Sequence, residues 1–140
     1  MNNTENNTKN TGLISLATNQ SVAFTIQRIR QLLDDQGVNV FAVVDHGAAA
    51  QKADLELDDT QVILFGNPAV GTLLMQSCRP IALELPLKLL VYREGPITQV
   101  QYRLLSSQAD DYGFDPNTPI VQKLDRFITT LAQSATDNNH

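Results

Sequence analysis

Residues 38–80 read VNVFAVVDHGAAAQKADLELDDTQVILFGNPAVGTLLMQSCRP, and twice pass from a short apolar run through a polar turn into a helix-compatible segment. Val38 to Val44 is apolar and rich in β-branched side chains, the composition of a strand buried on both faces, and it halts at Asp45-His46-Gly47. A brief alanine-rich helix is expected to follow, through about Ala53. Gln61 to Phe65 is a second short apolar strand. Gly66-Asn67-Pro68 then reads as a turn into a helix, with Asn67 as N-cap and Pro68 at N1, where its missing N–H leaves nothing unsatisfied. This helix is predicted to end near Cys78, before Arg79-Pro80.

Upstream, Leu13 to Ala17 alternates weakly and is read as a first strand. Ser21 is a good N-cap for a helix reaching Gln36, because Val22, Ile26, Ile29 and Leu33 recur at helical spacing and Gly37 stands at C′. Downstream, Leu85 to Tyr92 and Ile97 to Leu104 predict a hairpin around Glu94-Gly95-Pro96, with Pro86 confined to the start or edge of its strand. Asp110 to Asn117 is loop-like. A last helix begins at Thr118-Pro119, with Ile120, Leu124, Phe127, Ile128 and Leu131 along one stripe. The order β-α-β-α-β-α-β-β-α predicts an α/β (α+β) fold, a mixed β-sheet of about five strands covered by helices.

Composition narrows the function classes. A chain of 140 residues with 42% hydrophobic side chains can bury one core of ordinary size, so residues 12–134 are expected to form one globular domain. Residues 1–11 and 135–140 are polar and are expected to be disordered tails. Ten Lys and Arg against 15 Asp and Glu give a net charge of −5, which disfavours nucleic acid and anionic membranes as partners. The lone Cys78 makes no internal disulfide and no CxxC pair. Neither a signal peptide in Met1 to Thr11 nor an apolar run of about 20 residues is present, so a cytoplasmic protein is expected.

His46 is the one histidine of the expected domain; His140 lies in the expected C-terminal tail. At the start of a helix the imidazole is favoured in its neutral form, available as base, acceptor or ligand, while Asp45 serves as N-cap. The plainer reading of Asp45-His46 is a strand-to-helix capping turn and nothing more. If the two strands are parallel, joined by a crossover from Gly47 to Thr60, their C-terminal ends bring His46 and Asn67 to one sheet edge, where open α/β sheets hold ligands. Gly71, early in the following helix, weakens it by about 1 kcal/mol relative to alanine, so either a closely packed backbone or a ligand should stand against it; close packing is the commoner case. Thr72 beside it can aim a hydroxyl at the same edge.

Met75 and Cys78, three apart, invite a soft-metal site with His46 as third ligand, but a Met and a lone Cys at helical spacing more often fill a core. No metal site is assigned. Glu84 either approaches the His46 edge or lies in solvent. No GxSxG elbow, GxGxxG or P-loop occurs, so nucleotide binding by those motifs and serine chemistry by that elbow are unsupported.

The ordered set Asp45-His46, Phe65-Gly66-Asn67-Pro68, Gly71-Thr72, Met75-Gln76 and Leu85-Pro86-Leu87 resembles domain-of-unknown-function family number 302, over about Ser21 to Asp115. The resemblance implies a compact mixed α/β domain, a homodimer, and no assigned reaction. Within it His46, Gly66, Asn67, Pro68, Gly71 and Thr72 match positions at which members look alike, and these six are the candidate ligand-binding residues. The chain departs from many relatives in the hairpin, with Tyr92 where they carry tryptophan and Gln101-Tyr102-Arg103 where they carry a Ser-Tyr-Asn run. The cofactor is unknown. The favoured function is a non-catalytic ligand-binding or sensing domain around His46 and Asn67; the alternatives are an enzyme with His46 as general base and a structural or assembly module.

Overall fold

The computed structural model describes residues 12–137; the expected tail at 1–11 lies outside them. Strand β1 (Leu13–Thr18) leads through Ser21 into α1 (Val22–Asp35), whose first turn is closed by Ser21 Oγ accepting from the Phe24 amide at 3.0 Å. Gly37, at φ +68°, ends that helix in the left-handed conformation that glycine adopts without steric penalty. β2 (Asn39–Asp45), the two-turn α2 (His46–Lys52), β3 (Thr60–Gly66) and α3 (Pro68–Ser77) follow. A 3-10 helix at Arg79–Glu84 and the cis peptide Leu85–Pro86 lead into β4 (Leu87–Glu94). β4 and β5 (Ile97–Arg103) form the expected hairpin, pairing Glu94 with Ile97 across Gly95-Pro96. The chain closes through a 3-10 turn at Leu105–Gln108, one turn of helix α4 (Ala109–Tyr112) and α5 (Pro119–Thr136). Of the C-terminal tail expected at 135–140, residues 135 and 136 belong to α5, with Ala135 buried in the core, and residues 138–140 lie outside the described residues.

The sheet has five strands in the order β1-β5-β4-β3-β2, and every adjacent pair is antiparallel. Alternation sorts its side chains. Ile63 and Phe65, Leu87, Leu89 and Val91, and Val100 and Tyr102 face α1 and α5, which pack on one side with Ile29, Leu33, Ile128 and Leu131 completing the core. The expected stripe of α1, Val22, Ile26, Ile29 and Leu33, is buried throughout. On the opposite face the register puts Val44, Val62 and Leu90 in one row, half-buried or exposed.

Two expectations about β2 are corrected. It is an edge strand with Phe41 and Val44 exposed, because β3 alone pairs with it and α1 and α5 cover one sheet face; β-branched content marked the strand but not its position. It is also antiparallel to β3, with Asp45 opposite Gln61 and Asn39 opposite Gly66. The segment between them reverses locally instead of crossing over. Gly47 is buried there, with the position of a Cβ only 3.5 Å from the Thr60 nitrogen and 3.6 Å from the Asp58 carbonyl, so α2 folds directly onto the start of β3.

Candidate functional site

The antiparallel pairing separates the residues that a parallel arrangement would have united. Gln61, opposite Asp45, and Gly66, next to Asn67, are five steps apart on β3, about 17 Å at roughly 3.4 Å per residue. His46 is therefore at one end of the sheet and Asn67 at the other. His46 is exposed as the first residue of α2, and Asp45 Oδ1 is spent on the cap, accepting from the Ala48 amide at 2.9 Å. The soft-metal reading loses its third ligand for the same reason. Cys78, just past α3, gives its thiol to the Tyr112 carbonyl at 3.4 Å, and Met75 packs with Leu74 and Ile81 in a second apolar cluster. Among the described residues no group of three His, Cys, Asp or Glu side chains could hold a metal ion.

The other five candidates, Gly66, Asn67, Pro68, Gly71 and Thr72, line a single cavity of 260 Å³. β3 contributes Phe65, the bulged segment of β2 contributes Phe41, α3 adds Val70 and Met75, and Leu85-Pro86-Leu87 and Leu124 complete it. No side chain that lines it titrates. Its polar groups are few and partly committed. Asn67 Oδ1 accepts from the Ala69 amide at 2.9 Å, which leaves the side-chain NH2 to donate elsewhere. The Thr72 hydroxyl donates back to the Pro68 carbonyl at 2.7 Å, so it offers lone pairs only.

Gly71 gives the clearest local signal. A Cβ built there would meet no backbone of another element within 4 Å; the nearest atoms are Leu85 Cδ1 at 3.7 Å and Met75 Cε at 3.9 Å, ordinary contacts. Close backbone packing, the commoner explanation for a glycine in a helix, is thus not what this one serves. Its missing side chain widens the cavity. Gly66 behaves alike, with Phe41 Cε2 at 3.6 Å as the nearest atom to a Cβ.

Sequence reasoning missed the walls supplied by Phe41, Leu85 and Leu124, which lie on three separate elements and are brought together only by the tertiary fold. It also left Glu84 undirected. Tyr112 donates its hydroxyl to Glu84 Oε2 at 2.5 Å, away from His46, and that hydrogen bond, with burial and the neighbouring negative charges, raises the tyrosine pKa above its ordinary 10.0. A second depression of 330 Å³, with Glu84, Lys88 and Gln101 on its rim, contains none of the six candidates. A smaller one of 240 Å³ shares Gly66, Asn67, Val70, Leu87 and Leu124 with the first and adds Lys123.

The family whose model matches the chain, over residues 14–131, is the domain of unknown function DUF302, and the chain belongs to it. Its fold is that of a solved structure, the uncharacterized conserved protein DUF302 from Bacillus stearothermophilus, with a TM-score of 0.71 at 17% identity over 90% of this chain and 96% of that one. Among curated proteins it is similar to the fluoride-specific ion channel FluC 1 of Brucella suis biovar 1, 46% identical over 84 residues. FluC 2 of Brucella melitensis biotype 1 matches equally, at 46% over 84 residues. The match takes in 60% of this chain but only 33% and 31% of those two proteins, so the chain spans about a third of their length. No helix among the described residues is long and apolar enough to cross a membrane.

Proposed function

We propose that this DUF302 member is a non-catalytic small-ligand-binding or sensing domain whose ligand occupies the cavity lined by Gly66-Asn67-Pro68 and Gly71-Thr72. One observation carries the reading: five of the six candidate residues converge on one largely apolar cavity whose lining holds no acid or base. Binding sites are concave and mostly apolar with a few oriented polar groups, whereas general acid–base chemistry needs a titrating side chain within reach of the substrate. The alternative of an enzyme with His46 as base is disfavoured by the distance along β3. Homodimerisation and a cytoplasmic setting belong to the same reading, supported by the uncovered row of Val44, Val62 and Leu90 and by the lone thiol. Native mass spectrometry of the freshly purified chain tests both site and assembly. A dimer carrying an extra mass that Val70→Trp abolishes and His46→Ala keeps is expected; a ligand-free protein that no member of a metabolite panel stabilises would overturn the binding reading, since ligand at 100 times its Kd adds about 2.7 kcal/mol.

A second reading is favoured by the channel relatives. A segment similar to this chain makes up about a third of proteins named as fluoride-specific ion channels, and this chain has no membrane-crossing helix among its described residues. On this reading the domain is an accessory that modulates such a channel. Fluoride efflux from vesicles containing a channel of that kind, recorded with and without added chain, is expected to change in rate; identical traces at saturating chain would remove the accessory role.

A further inference from the structure

The cavity's shape and chemistry restrict what can fill it. Its lining is uncharged, so an ion seated inside would lose hydration with no opposite charge to replace it. Its free side-chain donor is the Asn67 NH2, since Oδ1 is held by the Ala69 amide and the Thr72 hydrogen by the Pro68 carbonyl. Its size is also informative: a cavity of about 150 Å³ lined by aliphatic side chains accommodates benzene, so 260 Å³ corresponds by proportion to about ten carbon atoms. Finally, the space above Gly71 and Gly66 is bordered by side-chain ends alone, Leu85 Cδ1, Met75 Cε and Phe41 Cε2, all at 3.6 Å or more from the missing Cβ positions. Glycine at these positions leaves open a volume that the protein itself does not fill.

Building on the binding reading above, we infer that the ligand is an apolar molecule of about ten carbons that enters the cavity uncharged, packs over Gly71, and presents one acceptor oxygen to the Asn67 NH2. An aliphatic ketone or ester has this chemistry. A fatty carboxylate shares the chain but carries a charge, for which Lys123 in the adjoining depression offers a cation. The two ligand types make different predictions.

The test is calorimetric titration of the full chain with 2-decanone and, separately, with decanoate. 2-Decanone is expected to saturate one site per chain and to bind at least as tightly as decanoate. Gly71→Leu, which fills the space, should weaken 2-decanone by about tenfold or more, and His46→Ala should leave it unchanged. Asn67→Asp keeps the helix cap but exchanges the donor for an acceptor, and should weaken the ketone by about fivefold. Gly71→Ala meets no protein atom closer than 3.7 Å and decides the matter if the leucine variant fails to fold. It should raise Tm by about 3 °C through helix propensity while weakening 2-decanone, opposite signs that a purely structural glycine would not give.

No saturation by 2-decanone at its solubility limit, or decanoate binding far more tightly, would overturn the ligand class. If a polar ligand from the metabolite panel is instead excluded by Gly71→Leu, the cavity stands as a site and only the class fails. If neither Gly71 variant alters any ligand that the wild type binds, the site itself fails.

Discussion

At one end of the β2–β3 ribbon, Asp45 Oδ1 accepts from the Ala48 amide at 2.9 Å; at the other, Asn67 Oδ1 accepts from the Ala69 amide at 2.9 Å. Both turns end a strand and both cap a helix that carries a further polar side chain, His46 directly after its cap and Thr72 one turn beyond Asn67. Yet α2 is two exposed turns folded onto the start of β3, while α3 extends beside Phe65 and Leu85 and helps to enclose a cavity. The capping chemistry is therefore not what distinguishes a candidate site from a plain turn. What distinguishes them is whether the helix after the cap has apolar surface on other elements to pack beside, and whether it carries a glycine whose missing side chain widens the pocket between them.

The largest effect that would sharpen this contrast comes from Phe65. It is fully buried, meets Phe127 in a tilted ring contact with centroids 6.2 Å apart, and lines the cavity. Phe65→Ala should destabilise by about 3–5 kcal/mol in urea unfolding, whereas Val44→Ala at the His46 end, 42% exposed on the edge strand, should lose less than about 1 kcal/mol. Equal losses would mean that the two ends are packed alike.

The caps come next. Asp45→Ala and Asn67→Ala should each lose about 1 kcal/mol, since each frees one amide of a helix first turn. Asn67→Asp should retain most of that stability, because Asp caps as well as Asn. Similar stability losses at the two ends, combined with a ligand effect at Asn67 alone, would separate cap from site; a loss at Asn67 several times that at Asp45 would instead make the cap itself central to the cavity's architecture.

How much of this was legible in the sequence follows from which signals are local. Ser21 as cap, the stripe Val22-Ile26-Ile29-Leu33 and the turn at Gly66-Asn67-Pro68 depend on neighbours within one helical turn, and the structure has them all. Pairing direction is not local. A short apolar strand has the same period and composition whether its neighbour runs parallel or antiparallel, so Val38–Val44 and Gln61–Phe65 fitted both, and the choice was made by Gly47 tucking against Asp58 and Thr60. The cavity's walls are less local still. Phe41, Leu85 and Leu124 come from β2, the segment before β4 and α5, and nothing in their own sequence contexts distinguishes them from ordinary core residues. Gly71 was readable as a helix glycine that something must offset, but the commoner explanation was the wrong one here.

A smaller and pH-dependent effect tests the cluster beside the cavity. The Tyr112 hydroxyl donates to Glu84, and this hydrogen bond raises the tyrosine pKa in the folded state above 10.0. A raised folded pKa means that the native state holds the phenolic proton more tightly than the unfolded chain. The contribution is complete below pH 10.0, the ordinary value, and is lost as pH climbs through the raised one. Tyr112→Phe should therefore be less stable than wild type at neutral pH, and the gap between the two unfolding curves should close above about pH 10. No gap at neutral pH would mean that Tyr112 contributes by the packing of its ring with Leu74 and Ile81, which phenylalanine keeps, rather than through its proton.

The smallest expected effect belongs to His46. Its side chain is exposed, it stands at the end of the sheet away from Asn67, and the α2 cap is made by Asp45 without it. His46→Ala should change stability by no more than about 0.5 kcal/mol and leave ligand occupancy of the cavity unaltered. Alanine at the first helical position is a good helix former, so the substitution removes the imidazole with little disturbance to the turn that carries it. Loss of a bound mass or of the proposed dimer in this variant, with α2 intact by circular dichroism, would mean that the His46 end acts in an assembly, where a second copy would bring it near a cavity that its own chain keeps about 17 Å away along β3.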